Sequence, residues 1–137
     1  MIRVTPDTNV LISAFLFKGN ERIVLRYAIE GEIRFVLSSE LLDEMIRILD
    51  EKFHLETDKI TDYVLRLSDV TEIVKPKQIR SLRIRDREDA KVIECASTGR
   101  SSYILTGDRD LLSIGHYKEI RIVPARRFLK LSGRLKD

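Results

Sequence analysis

Met1-Ile2-Arg3-Val4-Thr5-Pro6-Asp7-Thr8-Asn9-Val10 opens the chain, with Leu11, Ile12 and Ala14 close behind. Ile2 and Val4 alternate with polar neighbours, the period of a short strand. Pro6 has no N–H to donate, so strand pairing is expected to stop there. Thr8 and Asn9 are placed to cap the helix that Val10 begins. Asp7 then lies on the crest of a strand-to-helix turn, at the carboxyl edge of a sheet. Open α/β sheets bind their ligands at that edge. Taken alone, Asp7 is equally well explained as a helix cap or as a functional acid.

The pattern repeats downstream. A second helix is expected from Asn20 to about Ile29, with Ile23, Val24, Tyr27 and Ala28 on one face and Gly31 at its C′ position. Ile33 to Leu37 reads as a strand, and Ser38-Ser39 caps a longer helix with Glu40 and Asp43 near its start. Another helix starts at Thr57 or Asp58, and Val70 to Val74 is an edge-strand candidate that Pro76 ends. Residues 75–87 form a Lys- and Arg-rich connection. Asp86 caps a helix from Arg87 to about Thr98, closed by Gly99. Ser102 to Thr106 and Glu119 to Val123 are the last strands, with a short helical segment at Leu111-Leu112 between them. Pro124 begins a final helix through Leu131. Alternation of Val- and Ile-rich strands with amphipathic helices predicts an α/β fold, a mainly parallel sheet covered by helices on both faces.

The totals are compatible with this. The 137 residues fit a single domain, 1–137, with a tail from about Ser132 expected to fray. Hydrophobic residues make up 43% and charged residues 34%, which excludes a disordered chain. The net charge of +3 is a mild bias towards polyanionic partners. No apolar run approaches the roughly 18 residues of a membrane span, and the start runs straight into a strand rather than a leader peptide. The lone Cys95 lies in a helical pattern without a His partner and reads as packing. A cytoplasmic location is expected.

Several acids resist a purely structural reading. Glu44 borders the apolar stripe of its helix, although a surface acid paired with Arg47 or Lys52 would look the same. Asp89 precedes Val92, Ile93 and Ala96 at helical spacing, which places it on the buried stripe of its own helix, where an unpaired carboxylate is costly. A capping arrangement with Asp86 is the competing explanation. Asp108 and Asp110 follow the strand Tyr103-Ile104-Leu105 across Gly107, where one Asp is ordinary turn chemistry and two can face a single cation. With parallel strands, Asp7, Glu44, Asp89 and Asp108 converge on one edge. Like charges that close repel unless a cation lies between them. An all-oxygen donor set, with no Cys or His group, suits Mg²⁺ or Mn²⁺. Such ions can position and ionise a water and neutralise a phosphodiester under attack. His54 and His116, the only histidines, sit in polar, loop-like surroundings.

These residues resemble the PIN (PilT N-terminus) domain family. The strand-Asp-Thr-Asn motif is similar to Asp7-Thr8-Asn9-Val10, and the family's acid on a middle helix is similar to Glu44. Asp89-Ala90-Lys91-Val92-Ile93-Glu94-Cys95-Ala96 resembles its Asp-led helix, with Val92 where that pattern has Ile. Thr106-Gly107-Asp108-Arg109-Asp110 resembles its Thr-x-Asp-x-Asp motif. The resemblance covers essentially the whole chain. It implies a three-layer α/β/α sandwich and a metal-dependent ribonuclease, many small members being VapC-type toxins of toxin–antitoxin pairs. It also implies that Asp7, Glu44, Asp89 and Asp108 are the catalytic, metal-binding acids, with Asp110 as an auxiliary fifth and Asn9 and Thr106 in support. Glu40 could replace Glu44, and Asp86 could share the role of Asp89.

Cations near the acids would offset their repulsion of RNA phosphates. Lys91, Arg109 and Arg85 are the candidates, followed by Arg83, Arg87 and the C-terminal Arg126, Arg127, Lys130, Arg134 and Lys136. The implied partners are an RNA substrate and a protein antitoxin. Apolar residues such as Phe15, Leu16 and Phe17 are available for an antitoxin segment or a homodimer contact, beside their ordinary use in a core. Two other readings compete. An aspartyl-phosphate phosphohydrolase would use Asp7 as nucleophile, but wants a second Asp where Asn9 stands. An RNA-binding or RNA-processing protein with no toxin role would need the acids only as caps and turns.

Overall fold

The computed structural model describes residues 1–134. Its elements alternate as follows: β1 (Ile2–Pro6), α1 (Thr8–Leu16), α2 (Asn20–Ile29), β2 (Ile33–Ser38), α3 (Ser39–Glu51), α4 (Thr57–Val70) and β3 (Thr71–Val74). There follow α5 (Arg87–Thr98), β4 (Tyr103–Leu105), α6 (Arg109–Ile114), β5 (His116–Tyr117), β6 (Ile120–Val123) and α7 (Ala125–Leu131). The six strands form one sheet in the order β3-β2-β1-β4-β6-β5. Neighbours are parallel from β3 through β6, and only β5 runs antiparallel, against β6. The order reverses between β1 and β4. That switch point leaves a crevice at the carboxyl ends of these two strands.

Both faces of the sheet are covered, which makes the predicted three-layer α/β/α sandwich. Phe35 and Val36 are adjacent on β2 and both are buried, so the strand has no solvent face. Val36 lies under α5: a Cβ added to Gly99, at the end of that helix, would fall 2.1 Å from Val36 Cγ1. Gly99 therefore permits a close approach of helix and strand. Helices α1, α2, α3 and α4 pack on one another, α7 joins them through α2, and α5 crosses β1, β2 and β4. Tyr63 of α4 ties that layer together by donating to the Leu11 carbonyl at 2.6 Å and stacking on Phe15. No described helix is long and apolar enough to cross a membrane.

The local signals hold with instructive exceptions. β1 ends at Pro6, as expected. Pro6 is its last residue in register, opposite Leu105 of β4, and the following Asp7 N–H still donates to the Leu105 carbonyl at 2.9 Å. Register with β2 ends at Val4, on the side where Pro6 has no N–H to offer. The cap of α1 is Asp7 itself rather than Thr8 or Asn9, and that of α2 is Gly19 rather than Asn20. Pro124 caps α7 instead of starting it. His116, expected in a loop, forms the two-residue strand β5 with Tyr117. Gly31 takes φ +80° and closes α2 as expected, its N–H bonding Ala28 O while Glu32 N–H bonds Tyr27 O. Of the tail expected to fray, Ser132, Gly133 and Arg134 hydrogen-bond back to α7, and residues 135–137 lie outside the described part.

Candidate active site

The crevice at the switch point is a cleft of about 130 Å³. Asp7, Asn9, Glu44, Asp89 and Asp108 line it, together with Asp86 and Glu88. The acids arrive from four places in the chain. Asp7 follows β1, Glu44 stands on α3, Asp86, Glu88 and Asp89 open α5, and Asp108 follows β4. Residues far apart in sequence thus meet because parallel strands and their following helices share one edge.

Asp7 is the most firmly held. Its Oδ1 accepts from Val10 N–H at 2.8 Å, and its Oδ2 accepts from the Thr106 hydroxyl at 2.5 Å. Thr106 in turn accepts from the Asp108 N–H at 2.9 Å. One buried hydroxyl therefore couples the β1 acid to the β4 turn. Burial pushes the Asp7 carboxyl above its usual range, the bonds from Thr106 and Val10 pull the other way, and the Asp108 charge adds to the rise. The carboxylate that caps α1 is also the one that lines the cleft.

Asp89 is strongly perturbed. It is 5% exposed, and burial followed by the charges of Asp108 and Asp86 pushes its carboxyl up to about 7. The Asp108 carboxyl beside it adds to the rise, and Asp110 contributes a smaller repulsion. Asp86 does cap α5, accepting Glu88 N–H at 2.8 Å, while Asp89 turns to Asp108 instead of back to the cap. Glu44 is raised as well, first by burial and then by Glu88, whose carboxyl it meets. Glu88 is the acid that the sequence reading missed. It is exposed at the start of α5 and carries no apolar-stripe signature; only its register opposite α3 brings it to Glu44.

The remaining candidates are placed less centrally. Asp110 is exposed, and its N–H donates to Asp108 Oδ1 at 2.9 Å, so it stands beside the cleft rather than in its wall. Glu40 is exposed and bonds Lys91 at 3.1 Å in a neighbouring hollow, which leaves Glu44 as the α3 acid in the cleft. Asp86 shares the cleft with Asp89 rather than replacing it. Lys91 sits between Glu40 and Glu88, and Arg87 is bound to Glu94, so neither projects freely towards a phosphate. Arg85 and Arg109 are exposed. Cys95 is buried, its thiol pushed up to about 12 by burial, which suits a packing residue.

The donor chemistry fits a hard divalent cation: oxygen ligands only, an excess of negative charge, and carboxyls raised by burial and then by neighbouring acids. Among the described residues no group of three or more His, Cys, Asp or Glu stands ready to hold a metal ion. The site has the right donors, and a bound cation would draw them inward.

Fold and cleft together define an α/β/α protein with a carboxylate site at the carboxyl edge of its sheet. The chain belongs to the PIN domain family, whose model matches residues 3–110, from β1 into the first turn of α6. All the acids named above fall inside that span. Membership suggests a nuclease, a hydrolase, in a family that generally uses divalent metal ions. No curated protein matches the chain.

Proposed function

We propose that the chain is a metal-dependent endoribonuclease in which Asp7, Asp89 and Asp108 hold Mg²⁺ or Mn²⁺, with Glu44 completing the wall of the site. The observation that carries this reading is the gathering of Asp7, Asp89 and Asp108 in the switch-point cleft, where burial first and the Asp108 charge after it raise the carboxyls of Asp7 and Asp89. Carboxylates gathered in this way raise the cost of the metal-free state and favour a cation between them. A bound cation would help ionise a water and neutralise charge on the scissile phosphodiester. The chain's own residues supply orientation. Thr106 and Val10 fix both oxygens of Asp7, and Thr106 sets the Asp108 backbone. In the metal-free site the Asp89 carboxyl is raised to about 7, and a bound cation would hold it ionised as a ligand. Asn9 is the polar neighbour of Asp7 in the cleft wall, and Asp110 an outer acid.

The biological role we infer is that of a VapC-like toxin acting in the cytoplasm and restrained by an antitoxin. A groove of about 530 Å³ between α1, α2 and α4 supports a protein partner or a second copy of the chain. Its floor includes Phe15, Leu25 and Tyr63, and Arg26, Lys59 and Arg66 stand among its lining with Asp62. The test is cleavage of a mixed RNA pool with Mn²⁺, with Mg²⁺ and with EDTA. Metal-dependent cleavage that disappears in Asp7→Asn is expected. A folded wild type that neither cuts RNA nor binds either metal would return the acids to caps and turns.

A further inference from the structure

Glu94 is a buried acid that the cleft does not use. It stands on α5, five residues past Asp89, and is 2% exposed. Its Oε2 accepts from the Ile79 N–H at 2.9 Å and from Arg87 at 3.2 Å, and its Oε1 accepts from Arg87 at 2.8 Å. Burial alone would raise its carboxyl, but Arg87 and the Ile79 N–H outweigh burial and hold it below the usual range. A buried carboxylate satisfied in this way fixes whatever it binds. What it binds is the connection between β3 and α5.

That connection runs back along α5. Near one end the Lys77 N–H donates to Thr98 Oγ1, in the last turn of the helix, at 2.9 Å. In the middle Ile79 is held by Glu94. At the other end Asp86 caps the first turn of α5 and lines the acidic cleft. The strap therefore follows a helix of 12 residues, about 18 Å long, and ends at the candidate active site. Ile79, Leu82 and Ile84 pack inward against the core. Lys75, Lys77, Arg80, Arg83 and Arg85 all lie outward and exposed. No acid interrupts residues 75–85, and none of these five cations makes a salt bridge among the described residues. Arg87 and Lys91, nearer the acids in sequence, are each bound to carboxylates instead.

We propose that residues 75–86 are a phosphate track: a basic strap, positioned by Glu94, that guides the backbone of single-stranded RNA to the cleft. The inference rests on the ribonuclease reading and names how that site holds its substrate. An acidic cleft repels the polyanion it must cut, and cations lined up towards its mouth offset this. The strap has no aromatic residue, so it reads phosphate charge and leaves base identity to other parts of the molecule.

The test is binding of a fluorescently labelled single-stranded RNA, followed by anisotropy in EDTA over a range of salt concentrations. The triple variant Arg80→Gln/Arg83→Gln/Arg85→Gln is compared with a control of equal charge at exposed positions past the far end of α5 and around β5 and β6, Arg100→Gln/Lys118→Gln/Arg121→Gln. Losing three phosphate contacts lowers the slope of log K against log salt by about 2 and weakens binding about 100-fold near 0.1 M salt. The control should bind like the wild type. Equal loss in both triples would show that net charge alone is at work and overturn the track. So would a strap variant that binds like the wild type, or a wild type that does not bind RNA. Because EDTA removes hydrolysis from the measurement, the two ideas fail separately. Strap-dependent binding by a protein that never cleaves sinks only the ribonuclease reading. Cleavage with strap-independent binding sinks only the track.

Discussion

Asp89→Asn should stabilise the metal-free protein at alkaline pH, against the usual direction for a substitution of a buried residue. In the folded chain the Asp89 carboxyl is pushed up to about 7, from a reference of 3.8, by burial and then by Asp108 and Asp86. An acid raised on folding stabilises the fold at low pH, below its unfolded value. That contribution is lost as pH rises through the folded value. A rise of this size is at most about 4 kcal/mol at 1.4 kcal/mol per unit. The carboxyl lines a cleft open to solvent, and screening there reduces the effect to about 1–2 kcal/mol. Asn removes the charge and keeps the shape. In EDTA at pH 8 the variant should melt about 3–8 °C above the wild type, and the excess should shrink as pH falls towards 4. Saturating Mn²⁺ at pH 8 should raise the wild type more than the variant. Thermal melts followed by circular dichroism read all of this. A variant no more stable than the wild type at pH 8 in EDTA would refute the claim that the acids strain one another.

Two further substitutions probe the supports. Thr106→Val keeps the volume but strips Asp7 of a donor and the Asp108 N–H of an acceptor. It should cost about 1–3 kcal/mol in urea unfolding and weaken Mn²⁺ binding measured calorimetrically. Gly99→Ala drives a Cβ to within 2.1 Å of Val36 Cγ1 and should cost about 1–3 kcal/mol by overpacking, seen as a lower urea midpoint with an unchanged slope.

The fold was legible because strand and helix periods alternate cleanly along the chain. Val36 and its neighbours form an unbroken apolar run, as a strand covered on both faces must. Asp86, Ser38, Gly31 and Gly99 each sit where their helix ends require. The site was legible wherever an acid occupied a place that burial should forbid, as with Asp89, or the crest of a strand-to-helix turn, as with Asp7. What escaped depended on partners distant in sequence. Glu88 looks like any exposed first-turn acid until α3 brings Glu44 against it. Glu94 sits on the buried stripe of α5 and is tolerated because Arg87 and the Ile79 N–H meet it there, contacts fixed by the path of the strap. Pro6, by contrast, marks the strand end in sequence and structure alike, since it has no N–H to extend the ladder.

The central claim is that Asp7, Asp89 and Asp108 act together as a seat for a divalent cation. Mn²⁺ binding to the purified protein, followed by electron paramagnetic resonance, tests it most directly. The account predicts saturable binding in the wild type that is lost in Asp108→Asn and preserved in Asp110→Asn, whose side chain stands outside the cleft. Binding that survives Asp108→Asn unchanged, or no binding to a folded wild type, would contradict it.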